Sequence, residues 1–270
     1  MADEDPETVK ACCTSFYESD IVRRVLGDAF HPGGERMTLR LGNVLELGPD
    51  TRVLDVACGT GGTTIALAKG FGCHVTGMDL GSANLERARA RAEEEGVAHL
   101  TEFLTMDAEA LDFPDGSFDA VVSECALCTF TDQPGALAEV HRVLRPGGTI
   151  GITDVIVERE LPERARTVLF QVACISGAMP RQGYVDALEA AGFSDISHED
   201  HSYAVAELLD KAERMLAGWR FAEQMYGVDL EAFTGMTQEE AGEMLAGARG
   251  WVDAGDLGYG LFTGSKPPKG

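Results

Sequence analysis

The residues whose types and spacing could do chemistry begin with Asp55-Val-Ala-Cys58-Gly59-Thr-Gly61-Gly62, an acid just ahead of a glycine-rich turn. Glycines permit positive φ and let a ligand approach the backbone without meeting a Cβ. A turn built for a pyrophosphate aims a helix N-terminus at the phosphates. Asp55 stands where a phosphate would be repelled, so the ligand implied here has a cationic or neutral end. Asp79 follows Gly59 by twenty residues, the expected place for an acid that accepts both hydroxyls of a ribose. Asp107, after the next apolar run, could accept from an adenine amino group. A glycine-rich turn alone is weak evidence, whereas three acids at successive strand ends, in step with the turn, are stronger. The competing reading makes Asp55, Asp79 and Asp107 helix caps and turn formers.

The seven cysteines are Cys12, Cys13, Cys58, Cys73, Cys125, Cys128 and Cys174. Their odd number over a long chain is no disulfide framework, and reduced thiols are expected. None has partners at zinc-site spacing, so no metal site is expected. Cys58 and Cys73, beside core strands, read as small buried hydrophobes. His31, ahead of Pro32-Gly-Gly34, could act as a general base or a ligand contact. His198 and His201 fit a solvated loop better than a metal pair, and His141 reads as structural.

These residues need elements to position them, and the middle of the chain alternates short apolar runs with helical patterns, as βαβ units do. Strands are expected at residues 51–57, 74–78, 100–105, 118–123 and 149–155. Helices are expected at 63–69, at 83–95 with Ser82 as N-cap, at 135–144, around 163–174 and at 182–191. Arg145-Pro-Gly-Gly148 reads as a turn, 195–198 as a strand and 259–264 as the last strand. The expectation is one domain over 1–270, with a cofactor-binding core at 49–203 and a last strand and tail at 253–270. Residues 1–48 and 204–252 read as helices that could pack over the carboxyl edge of the sheet as lids.

The bulk properties agree with a globular protein. The chain has 270 residues, is 44% hydrophobic and carries 45 acidic against 22 basic residues, a formal charge of −23. Such a charge repels phosphate, so nucleic acid and anionic membrane are poor partners. No run of about eighteen apolar residues exists to span a bilayer. The start, Met-Ala-Asp-Glu-Asp-Pro-Glu, is acidic where a signal peptide is basic and then apolar, so a cytoplasmic location is expected.

From about Arg52 to Asp154 the chain resembles the class I S-adenosylmethionine-dependent methyltransferases. The resemblance is carried by VLDVACGTGG, the Asp79 strand end, MDAEALDFPDGSFDAVVS and HRVLRPGG. It implies a Rossmann-like α/β fold: a seven-stranded, mostly parallel sheet with helices on both faces and one reversed strand near the end. It implies S-adenosylmethionine as cofactor, with Gly59 and Gly61 bordering its methionine part, Asp79 on the ribose and Asp107 with Ala108 on the adenine. Asp55 would face the cationic end, Tyr17 could close over the sulfonium by a cation–π contact, and Leu80 and Glu124 complete the expected cofactor contacts.

The cysteine surroundings are similar to those of the arsenite methyltransferases, at Ser123-Glu-Cys125, Cys174-Ile-Ser-Gly-Ala178 and Ala11-Cys12-Cys13-Thr14. That resemblance implies trivalent arsenic held by Cys125, Cys174 and one of Cys12 or Cys13, since a soft centre takes thiolates. Glu124 replaces that family's usual Asn, and Phe30-His31-Pro-Gly-Gly34 looks more like enzymes acting on small organic molecules. The leading expectation is methyl transfer to arsenite. The alternative is transfer to O, N or C of an organic metabolite with His31 or an acid as base. A non-catalytic cofactor-binding protein is a remoter alternative, and Asp55 argues against a nicotinamide oxidoreductase.

Overall fold

The computed structural model describes Lys10 and residues 31–159, 177–226 and 237–269, without the side chains of 220–224 and 226. Seven strands form one sheet: β1 Arg52–Val56, β2 His74–Asp79, β3 Thr101–Thr105, β4 Phe118–Glu124, β5 Leu144–Val157, β6 Ser194–Asp200 and β7 Leu257–Ser265. Their spatial order is β3-β2-β1-β4-β5-β7-β6, parallel except that β7 runs against both of its neighbours. This is the Rossmann-like sheet expected from the sequence.

The central strands are apolar on both faces because both faces are covered. Val53, Val75, Ala120 and Val122 join a core with helices α1 (Gly34–Val44), α2 (Gly62–Phe71) and α3 (Ser82–Glu94). Their alternating neighbours Leu54, Val56, Met78 and Val121 face α4 (Gln133–Val143) and α5 (Arg181–Ala190). Between β6 and β7 run α6 (Tyr203–Tyr226) and α7 (Gln238–Ala254), which pack on each other and on β7. A capping box between Thr237 and Glu240 starts α7.

Several local expectations are corrected. Ser82 does not cap α3: Gly81, with no side chain to offer, is the N-cap. Asp79 accepts the Gly81 N–H instead. Arg145–Gly148 is no free turn, because β5 starts at Leu144 and pairs with Phe118 across a register shift. A bulge lets the strand absorb those residues. Of the described N-terminal residues, those of α1 lie on a sheet face, with Met37 and Leu41 fully buried, whereas Lys10 lies at the cleft on the carboxyl edge. The helix expected around 163–174 lies outside the described residues.

Candidate active site

The strand order reverses between β1 and β4, and a crevice opens outside their carboxyl ends, as it must at such a switch point. The cleft there spans ≈ 920 Å³, counting space open to solvent. It is bounded by the glycine turn, by the loops after β2 and β3 and by the chain after β4.

Asp79 is locked in place. One carboxylate oxygen accepts the Gly59 N–H at 2.9 Å and the other the Gly81 N–H at 2.7 Å, so the acid ties the glycine turn to the loop after β2. Leu80 beside it is 41% exposed at the cleft wall, an apolar surface facing an acid. Gly61 has φ 77°, and a Cβ there would lie 2.8 Å from Ala88 Cβ and 3.0 Å from the Phe103 ring. Its bare backbone therefore serves packing of the turn on α3 and β3, whereas Gly59 lines the cleft.

Asp55 stands apart from the cleft lining. Its carboxylate is enclosed beneath the turn and accepts the Thr64 hydroxyl at 2.6 Å. Burial, reinforced by the negative Glu124 and Asp79, pushes its pKa up to about 7 against the Thr64 hydrogen bond. The charge expected to meet a cationic ligand directly is thus held below the surface.

Glu124, at the end of β4, is the hub of the inner wall. Thr38 and Thr63 donate to one of its oxygens at 2.6 and 2.7 Å, and Thr153 donates to the other at 3.1 Å. Tyr259, fully buried, donates in turn to the Thr153 hydroxyl at 2.9 Å. Thr153 sits opposite Glu124 by strand register, Thr63 comes from the first turn of α2 and Thr38 from α1. His31 Nε2 lies 3.6 Å from the same Glu124 oxygen, and its ring borders a second cleft along α2 with Thr38 and Gly62.

At the opposite end, Asp107 accepts the Glu109 N–H at 3.0 Å and the Lys10 ammonium at 2.7 Å. Ala108 is buried and lines the cleft. Cys125 also lines it, half-buried and in the left-handed region at φ 54°, its N–H donating to the Thr153 carbonyl at 2.6 Å. Such a conformation is uncommon for a residue with a Cβ and often marks a functional edge. Cys128 is buried, its N–H donating to Asp154 at 3.0 Å. Burial pushes the thiols of Cys58 and Cys73 up, the latter to about 11, as for inert core cysteines. Cys12, Cys13, Tyr17 and Cys174 lie outside the described residues; of the cysteines expected to converge, Cys125 is the one described, and it lines the cleft.

His198 stacks on Phe262 and His201 bonds Glu199 at 2.9 Å, neither near the cleft. Thr38, Thr63, Thr153 and Lys10 were missed in the sequence reading. Only Thr63 carried a signal, by following the glycine turn directly.

Residues 54–152 match a family described as a methyltransferase domain. The sarcosine/dimethylglycine N-methyltransferase of Halorhodospira halochloris is 32% identical over 80% of this chain and 76% of its own length. The chain belongs to the class I S-adenosylmethionine-dependent methyltransferases. A glycine/sarcosine/dimethylglycine N-methyltransferase of Actinopolyspora halophila is 29% identical over 83% of the chain, which spans only 38% of that protein. Among solved structures, the cyclase SpnF superposes with a TM-score of 0.73 at 26% identity, over 95% of this chain and 96% of that one.

The lining is compatible with the family's cofactor: an acid pinned by two backbone amides, apolar walls at Leu80 and Ala108, and the carboxylates Glu124 and Asp107. A cyclase on the same fold is a reminder that a fold does not dictate a reaction. No helix among the described residues of this methyltransferase is long and apolar enough to cross a membrane.

Proposed function

We propose that this methyltransferase transfers a methyl group to a small organic acceptor, an amine foremost, rather than to arsenite. The observation that carries this reading is the hub at the end of β4, where a buried, triply hydrogen-bonded Glu124 stands beside His31. Two relatives named for amines of the glycine series support it, and one named for a sterol supports the organic acceptor more broadly. The arsenite reading keeps one favourable observation, Cys125 on the cleft wall, and has no second described thiol beside it there.

In this reading Asp79 takes the ribose hydroxyls, Asp107 and Ala108 the adenine, and Gly59 and Glu124 the amino-acid end. When bound, S-adenosylmethionine supplies a methyl group made electrophilic by the positive sulfur that carries it. The chain's part is to align the acceptor and exclude water. A primary or secondary amine that gains a methyl sheds its N–H proton, and that proton is assigned to His31, 3.6 Å from Glu124. A tertiary amine has no N–H to lose. Asp55, beneath the turn, adds negative potential without a contact of its own.

Two measurements test the proposal. Methyl transfer is assayed against glycine, sarcosine, dimethylglycine and arsenite. His31→Ala is then expected to lower kcat/KM about 10²-fold or more, with Cys125→Ser near wild type. An enzyme that methylates arsenite and is abolished by Cys125→Ser restores the thiolate reading. For the cofactor, Asp79→Ala should weaken S-adenosylhomocysteine binding by at least tenfold, and equal affinity would defeat the assignment.

A further inference from the structure

Lys10 is separated from Asp107 by 97 residues, yet its ammonium sits 2.7 Å from Asp107 Oδ2 and 2.6 Å from Glu109 Oε2, with the side chain only 16% exposed. It is the one cation among the described residues that line the cleft. Glu109 reaches further. Its second oxygen accepts the Thr131 N–H at 3.0 Å, the Thr131 hydroxyl at 2.8 Å and the Asp132 N–H at 2.8 Å. Those residues follow Thr129 and Phe130, which form the facing wall. Lys10, Glu109 and Thr131 thus make a brace from one wall of the cleft to the other, with Asp107 attached to it.

We propose that Lys10 is a positioning residue for the nucleoside end of the cofactor, holding Asp107 at the orientation in which it receives the adenine amino group. The inference rests on the cofactor reading of the cleft. Its physical basis is simple. Asp107 and Glu109 are two acids side by side on one loop, and without the cation that bridges them they repel and turn apart. That movement takes the Asp107 oxygen out of line with the adenine amino group. An exposed ion pair would contribute little. This one is part-buried, shared by two acids and continued by hydrogen bonds into the opposite wall. Each carboxylate oxygen has two acceptor sites, so the Lys10 contact leaves Asp107 capacity for a ligand.

The test is a double-mutant cycle on the full chain, with S-adenosylhomocysteine affinity read by calorimetry and melting followed in parallel. Lys10→Met is expected to weaken binding about tenfold, and Lys10→Arg, which keeps a cation, to recover most of it. In an Asp107→Ala background, Lys10→Met should cost at most about twofold, because the group it positions is gone. Unchanged affinity in Lys10→Met, failure of arginine to rescue, or full additivity with Asp107→Ala overturns the proposal. A drop in melting temperature that accounts for the loss does so too, by making the role structural. Asp79→Ala separates the two levels of inference. If Asp79→Ala binds as tightly as wild type, the cofactor reading itself has failed. If Asp79→Ala is weak and Lys10→Met is not, only the Lys10 role has.

Discussion

Asp55 shows how position changes what a residue does. The motif places it beside a ligand, yet its side chain is enclosed under the glycine turn with the Thr64 hydroxyl as partner. Its pKa of about 7 lies above the ~3.9 of an unfolded aspartate. The folded state therefore holds a proton that the unfolded chain has released between about pH 4 and 7. Stability from this group falls as pH rises through that window and levels off above it. Asp55→Asn keeps an acceptor for Thr64 without the charge. It is expected to melt several degrees above wild type at pH 8, at roughly 2–4 °C per kcal/mol, with the gap closing toward pH 4. Parallel melting curves across that range would show that Asp55 is not the group responsible. Thr38 offers a second check, since Thr38→Val removes one of the two hydroxyls on Glu124 Oε2 at constant shape. A buried bond to a charged group is worth about 1.5–3 kcal/mol, so a measurable fall in melting temperature is expected.

Among the elements, the turn into α2 is the most demanding. Gly61→Ala meets both a left-handed φ of 77° and a Cβ contact of 2.8 Å to Ala88. Strain and overpacking each cost about 1–3 kcal/mol, and the displaced turn would release Gly59 from Asp79. Gly96, closing α3 at φ 74° with nothing within 4 Å, is the control. Gly96→Ala should cost only the backbone term of about 1–2 kcal/mol and leave cofactor affinity intact. Thermal melting with S-adenosylhomocysteine titration separates the two. The glycine turn was legible because it interrupts an apolar run at a point where a strand must become a helix. The Ser82 cap was misread because an N-cap preference is local, whereas Asp79 satisfies the Gly81 amide from within the site.

Over the whole molecule, a charge of −23 sets a self-repulsion that added salt screens. Raising NaCl from about 10 mM to 1 M should raise the melting temperature by several degrees, and a fall would point to surface ion pairs outweighing repulsion.

Much of this architecture follows from pattern alone. Valine-rich runs ending in acids, separated by amphipathic stretches, leave few ways to bury both faces of a sheet, and all of them bring Asp79 and the chain after β4 to one edge. The tertiary structure alone decided what surrounds those residues. Thr153 meets Glu124 through strand register, Thr38 through the packing of α1, and Lys10 meets Asp107 across 97 residues of chain. Periodicity reports which face a side chain takes. Which hydroxyl or ammonium waits on that face depends on how separate segments are brought together, and no local rule encodes it.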